Sequence, residues 1–152
     1  MSTYEISAET LAIIPIENFC SKVIEKDNTL IVKKTPMQII EDSCSFFGSS
    51  YLGRAKGTKK LIGVSHKAPV IIEESKEIIF FPTSSPRLYE CCWVSLKNID
   101  KYKKQEKNAS ILFKNGLVLE LSISFGSLDN QVLRATRLES VLRSRKLNKT
   151  AF

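Results

Sequence analysis

The chain has 152 residues, of which 43% are hydrophobic and 26% charged, a composition that predicts one globular domain over residues 1–152. No apolar run approaches the roughly 20 residues that a membrane span needs, and the polar, acidic start MSTYEISAET is unlike a secretory signal. We therefore expect a cytoplasmic protein without membrane contact, whose net charge of +7 favours a polyanionic partner.

The first third of the chain predicts strands followed by two helices. Residues 10–15 have strand length, and Asp27-Asn28 suits a hairpin between residues 21–26 and 29–33. Thr35 and Pro36 are typical of a helix start, and apolar residues then recur at helical spacing. The predicted apolar face comprises Met37, Ile40, Cys44 and Phe47.

The most unusual stretch runs from residue 44 to residue 69. It contains no acid, although the chain has 16, and it holds four of the six glycines. Gly48 can end the first helix, and Ser49 or Ser50 can cap a second, basic helix, so that a helical segment covers residues 36–60. Acids would repel phosphates and glycine lets backbone approach them, so the stretch predicts a phosphate-facing surface, although a solvated basic loop has the same composition. The candidate phosphate contacts here are Arg54, Lys56, Lys59, Lys60, His66 and Lys67.

The second half alternates short β-type runs with polar connections. Strands are predicted at residues 61–65, 70–72, 78–81 and 91–94, and residues 97–107 are predicted to be a lysine-rich connection. Asn115-Gly116 between alternating apolar residues predicts a hairpin. The candidate phosphate contacts in the connection are Lys101, Lys103 and Lys104, which could equally be a solubilising loop.

A C-terminal helix is predicted over residues 127–147, with Ser127 as its cap. Its apolar stripe comprises Leu128, Val132, Ala135, Leu138 or Val141, and Leu142. Its arginines crowd toward the C-terminal end, where the helix dipole favours cations even without a ligand. The candidate phosphate contacts on this helix are Arg134, Arg137 and Arg143.

The charge is divided into blocks of opposite sign. Residues 43–72 carry five basic groups and no acid, and residues 97–152 carry 12 basic groups and five acids. The intervening residues 73–96 have a net charge of −2, and residues 1–42 have −3. Because separate segments share the same sign, we expect one polyanion-binding face backed by an ordinary surface.

Nothing in the sequence indicates an enzyme or a cofactor. His66 is the only histidine, and neither a metal-ligand spacing nor a phosphate-binding loop motif is present. The four cysteines lack a C-x-x-C spacing, so we expect them to be reduced, to bind no metal and to form no disulfide. Trp93 is expected in the core rather than on a binding surface.

A series of short motifs runs in order from about residue 20 to about residue 137. They are Phe46-Phe47-Gly48-Ser49-Ser50-Tyr51, Gly53-Arg54, Gly57-Thr58, Ser65-His66-Lys67 with Pro69, Phe81-Pro82-Thr83, Trp93-Val94-Ser95, Asn115-Gly116, Ile123-Ser124, and Asn130-Gln131-Val132 with Arg134. Together they resemble the ComK family of competence transcription factors. The near-identity of the first motif and the order of the others make this resemblance specific.

The resemblance implies a DNA-binding activator of competence genes for DNA uptake, located in the cytoplasm at the nucleoid. It implies an oligomer that binds paired A/T-rich boxes of double-stranded DNA, mainly from the minor groove, and bends them. It also implies control by an adaptor and a Clp-type protease. A narrow A-tract groove would attract arginine, and Arg54, between two glycines, is the residue expected to read it.

One departure from the family concerns the C-terminus. Family members continue well past the basic helix, whereas this chain stops at Phe152. The family's activation and adaptor contacts are partly attributed to that tail, so the departure bears on activation and proteolytic control more than on DNA binding.

Taken together, the sequence predicts an α+β fold of short, mostly antiparallel strands, with helices near residues 36–60 and 127–147. The predicted function is sequence-selective DNA binding without catalysis. Two alternatives remain open: a single-strand or RNA-binding module in which Phe46, Phe47 or Tyr51 stacks on bases, and a protein-interaction domain whose basic face meets an acidic partner.

Overall fold

The computed structural model describes residues 1–150, with side chains described through residue 148. Residues 151–152 of the predicted domain lie outside the described part. The described residues form nine strands and three helices, so the predicted α+β class is confirmed. The helices are α1 (Pro36–Phe46), α2 (Tyr51–Ile62) and α3 (Phe125–Thr150). The strands are β1 (Thr10–Ile16), β2 (Cys20–Glu25), β3 (Thr29–Val32), β4 (Val70–Glu73), β5 (Ile78–Pro82), β6 (Trp93–Ser95), β7 (Ile99–Gln105), β8 (Asn108–Phe113) and β9 (Val118–Leu121).

Six strands form one antiparallel sheet in the order β3-β2-β1-β6-β5-β4. One face packs against α1, and the other contributes to a core shared with α3 and the second sheet. Burial on both faces explains why β5 is a continuous apolar run, buried at every position, rather than an alternating one. Trp93 of β6 is 1% exposed, which confirms its predicted place in the core.

The second sheet has the order β7-β8-β9, and β7 corrects a prediction. The prediction that residues 97–107 form a connection was wrong, because β7 pairs antiparallel with β8. Tyr102 lies at the centre of β7, stacks on Phe125 of α3 with ring centroids 5.7 Å apart, and donates its hydroxyl to Asp129 at 2.7 Å. Burial and this hydrogen bond raise the pKa of Tyr102 to about 12. One half-buried aromatic therefore anchors a strand whose other positions are almost all polar.

The two predicted helices after Thr35 are confirmed. Thr35 and Gln38 form a capping box at the start of α1, and the Ser50 hydroxyl accepts the Gly53 amide at the start of α2. The strand predicted at residues 61–65 was wrong, because Leu61 and Ile62 complete α2. Gly63 then ends the helix with a φ of +75°, a left-handed conformation that glycine adopts without a steric penalty.

Two other boundaries differ from the prediction. Strand β6 covers Trp93–Ser95 rather than residues 91–94. Helix α3 begins at Phe125, two residues before the predicted start. The cap is Ser124 rather than Ser127, because the Ser124 hydroxyl accepts the Ser127 amide. The predicted stripe of α3 is buried as expected at Leu128, Val132, Ala135, Leu138 and Leu142. No helix among the described residues is long and apolar enough to span a membrane.

Candidate nucleic-acid interface

Helix α2 presents a row of three lysines to solvent. Thr58 and Ile62 are its buried residues, and the Thr58 hydroxyl donates to the Pro69 carbonyl at 2.6 Å, so this face of α2 packs against the start of β4. Residues three and four positions apart share a helix face, and the exposed row comprises Lys56, Lys59 and Lys60. None of the ion pairs within residues 1–148 involves these lysines. Their charges are therefore available to an external anion.

Arg54 lies on the same helix in a different environment. Its guanidinium donates to Glu74 at 3.1 Å, and its side chain is only 17% exposed. Its Nε is buried without a hydrogen-bond partner among the described residues. Reading of a DNA groove by Arg54 stays a prediction, and it requires the ion pair with Glu74 to open first.

The turn between β4 and β5 also binds cations of α3. Arg143 donates to Glu77 at 2.6 Å, and Lys146 donates to the Glu74 carbonyl at 2.6 Å. This acidic turn, residues 73–77, therefore partly neutralises α2 and α3 at one end. Arg143 is occupied within the fold, whereas Arg137 is exposed and outside the ion pairs of residues 1–148.

His66 and Lys67 lie in the loop of residues 63–69, whose carbonyls are held by α3. The buried Gln131 amide donates to the Lys67 carbonyl at 2.9 Å and to the Pro82 carbonyl at 2.7 Å. Arg134 donates to the His66 carbonyl at 3.0 Å and to the Gln131 side chain at 3.3 Å. Arg134 therefore supports the loop from within, while the His66 side chain is exposed and that of Lys67 is half-buried.

The lysines of β7 lie apart from those of α2. Lys101 and Lys103 alternate with Tyr102 along the strand and so lie on the sheet face opposite α3, while Lys104 shares the face of Tyr102. All three are exposed. Since α2 packs on α3 and on β4, the structure divides the predicted contacts between two surfaces instead of one.

Sequence analysis did not single out Arg87. It lies in the loop of residues 83–92, between β5 and β6, within a segment of net negative charge. No local pattern marked it, because its neighbours in space are His66 and Lys67 rather than other basic residues in the sequence. These two loops border a common cleft.

Two of the four cysteines, Cys44 and Cys92, have little reactive character. Cys20, Cys44, Cys91 and Cys92 are all free thiols, and no group of His, Cys, Asp and Glu within the described residues could hold a metal ion. Burial raises the pKa of Cys44 to about 11 and that of Cys92 to about 11. These two thiols are protonated at neutral pH, whereas nucleophilic attack and metal ligation require thiolates.

These shifts predict a loss of stability in alkali. A thiol whose pKa is raised by folding stabilises the native state below its unfolded pKa of 9.0, and this contribution disappears as the pH rises to about 11. We expect the titration of Cys44 to lower the free energy of unfolding by about 2–3 kcal/mol over that range. Urea denaturation at pH 7, 9, 10 and 11 would measure it. Cys44→Ala is the control and should give a flatter profile; the same profile in both proteins would contradict the assignment.

Comparison with known proteins gives two matches. A family model described as ComK protein matches residues 1–147. The chain is also 39% identical over 149 residues to the competence transcription factor of Bacillus subtilis (strain 168), an alignment that covers 95% of this chain and 78% of that protein. No solved structure matches the chain.

Proposed function

This chain belongs to the ComK family of transcription factors, and from that premise we propose that it binds A/T-rich double-stranded DNA through α2 and the loops beside it. A transcription factor of this family is not an enzyme. In this proposal the lysines attract the phosphates of DNA of any sequence. The preference for A/T-rich DNA comes from the narrow minor groove of A-tracts, where the negative potential is enhanced.

The observation that carries the proposal is the row formed by Lys56, Lys59 and Lys60. An interface that neutralises phosphates needs cations that are exposed and not already paired with carboxylates. These lysines meet both conditions, whereas Arg54 and Arg143 are paired with Glu74 and Glu77. We therefore propose that the lysine row makes the principal contacts with DNA phosphates.

The remaining features of the proposal depend on resemblance to the family. They are binding to paired promoter boxes as an oligomer, bending of the DNA, activation of competence genes, a location in the cytoplasm at the nucleoid, and control by an adaptor and a Clp-type protease. The lysines of β7 and the exposed Arg137 are assigned secondary contacts, made when DNA bends toward them or when a second copy binds alongside.

A mobility-shift titration on duplexes of equal length tests the proposal. We expect tighter binding to A/T-rich than to G/C-rich duplex, and weaker binding to the corresponding single strands. Preference for single strands would favour stacking on exposed aromatics such as Phe46, which is 65% exposed. Absence of nucleic-acid binding at physiological salt would overturn the proposal and favour an acidic protein partner.

A further inference from the structure

We propose that the cleft between the loops of residues 63–69 and 83–92 binds a backbone phosphate of double-stranded DNA, with Arg87 as its principal cation. This inference rests on the proposed function and adds to it a defined site and a residue outside the predicted basic segments. The cleft has a volume of about 460 Å³. Its lining residues are Met37, Tyr51, Ser65, His66, Lys67, Ser85, Pro86 and Arg87.

The lining has the chemistry of a phosphate site. It contains the guanidinium of Arg87, the ammonium of Lys67, an imidazole and three hydroxyl groups, and it contains no carboxylate. Arginine matches the geometry of phosphate oxygens and can donate two parallel hydrogen bonds to them. Every polar side chain among the lining residues can therefore act as a hydrogen-bond donor.

The two cations of the cleft are not engaged elsewhere in the described structure. Within residues 1–148, neither the Arg87 guanidinium nor the Lys67 ammonium makes an ion pair or a side-chain hydrogen bond. The Glu90 side chain, the closest acid to Arg87 in the sequence, borders a different cavity beside Cys92. The cleft thus keeps its positive charge, in contrast to the end of α2 near Glu74.

Helix α3 engages two carbonyls of the wall formed by residues 63–69 and the carbonyl of Pro82, the residue just before the other wall. The carbonyls of His66, Lys67 and Pro82 accept hydrogen bonds from Arg134 and Gln131. Carbonyl oxygens would repel a phosphate, so their engagement by α3 leaves donor side chains to line the cleft. Lys67 adopts a positive φ of 50°, a conformation costly for lysine, which these contacts help to maintain.

The wall that carries Arg87 is also fixed before any ligand binds. The Leu88 amide donates to the Ser85 carbonyl at 3.0 Å, and the Cys92 amide donates to the Thr83 hydroxyl at 3.0 Å. The Tyr89 hydroxyl donates to the Ile16 carbonyl, which ties the loop to the end of β1. A pre-organised wall lowers the entropy that must be lost when DNA binds.

The donor set predicts a contact that positions DNA without reading its sequence. Removal of a phosphate contact weakens binding to DNA of every sequence about equally. It also makes the slope of log affinity against log salt shallower by about one. Arg87 is therefore expected to fix the placement of DNA along α2, while discrimination between A/T and G/C comes from elsewhere in the interface.

Arg87→Ala in the full chain tests the site, measured by fluorescence anisotropy with labelled A/T-rich and G/C-rich duplexes at several salt concentrations. We expect a loss of about five- to tenfold at 150 mM salt on both duplexes and a slope shallower by about one. The matched control is Lys22→Ala, which removes one exposed charge from β2, four strands away from β4 in the sheet. The control should change affinity less than twofold.

Neutral methylphosphonate linkages, introduced one at a time, locate the contact. At one linkage the substitution should weaken the wild type but not Arg87→Ala, because the same interaction is already lost. Arg87→Ala binding like Lys22→Ala, or additive losses at every linkage, would overturn the site. Absence of duplex binding by the wild type would instead overturn the proposed function, so the two failures are distinguishable.

Gln131 is the positioning residue of the cleft, and Gln131→Met tests that role. Methionine keeps the length of the side chain but removes the donor for the Lys67 and Pro82 carbonyls, so thermal denaturation should show a lower Tm. In the folded variant, the methylphosphonate that identifies Arg87 should have a smaller effect than in the wild type. An unchanged effect at that linkage would show that Gln131 stabilises the fold without positioning the cleft.

Discussion

Affinity for duplex DNA is expected to fall about a thousandfold when salt rises from 50 to 200 mM, because roughly six phosphate contacts displace condensed counterions. Among the cations of α2, α3 and the two loops that lie outside the ion pairs of the described residues, we assign six to phosphate contacts. They are Lys56, Lys59, Lys60, Lys67, Arg87 and Arg137. The slope of log affinity against log salt should therefore be close to −5.

Fluorescence anisotropy on one duplex across that salt range measures the slope. Circular dichroism of the free protein over the same range is the control, since the fold should remain unchanged. A slope shallower than about −2 would contradict the electrostatic interface, because it would leave room for no more than about two phosphate contacts.

Replacement of the α2 lysines is expected to have the largest effect of any surface change. The triple variant Lys56→Gln, Lys59→Gln and Lys60→Gln removes three exposed charges, and glutamine keeps a good helix propensity. We expect a loss of affinity on the order of a hundredfold at 150 mM salt, from about fivefold per contact, and a slope shallower by about three. Mobility shift on A/T-rich duplex measures the loss.

The matched control is the same charge change on β7. Lys101→Gln, Lys103→Gln and Lys104→Gln also removes three exposed charges from β7, where Lys101 and Lys103 lie on the sheet face opposite α3 and Lys104 lies on the face of Tyr102. Screening at physiological salt limits the effect of charges more than about 8 Å from the DNA, so we expect a loss below about fivefold. Equal losses of affinity in the two triple variants would show that net charge governs binding. A larger loss of affinity for the β7 variant would show that the interface lies on the second sheet.

The sequence alone predicted the features that neighbouring residues decide. The caps of α1 and α2, the Asn115-Gly116 hairpin and the apolar stripe of α3 all depend on interactions within a few residues, and the structure confirms them. The clustering of charge and the ordered family motifs are also properties of the linear chain. These features led to the family before any tertiary contact was considered.

Strand β7 shows where local reasoning fails. Its lysines are poor strand formers, and residues 97–107 have the composition of a loop. The strand exists because it pairs with β8 and because Tyr102 packs on Phe125, more than 20 residues away. Strand β8 is a local partner that follows β7 after two residues, whereas the ring contact is a tertiary one, and contacts of that kind override propensity.

In the candidate site, too, some features follow from the sequence and others from the tertiary structure. The sequence supplies the cations, but the sheet order β1-β6-β5-β4 determines which of them keep a free charge. That order carries the acidic turn of residues 73–77 to Arg54 and Arg143, which are 20 and 66 residues from their carboxylate partners. It also places Arg87 beside Lys67. Whether a charge is neutralised depends on distances of a few ångströms between distant segments, and only the packing of the strands and helices sets those distances.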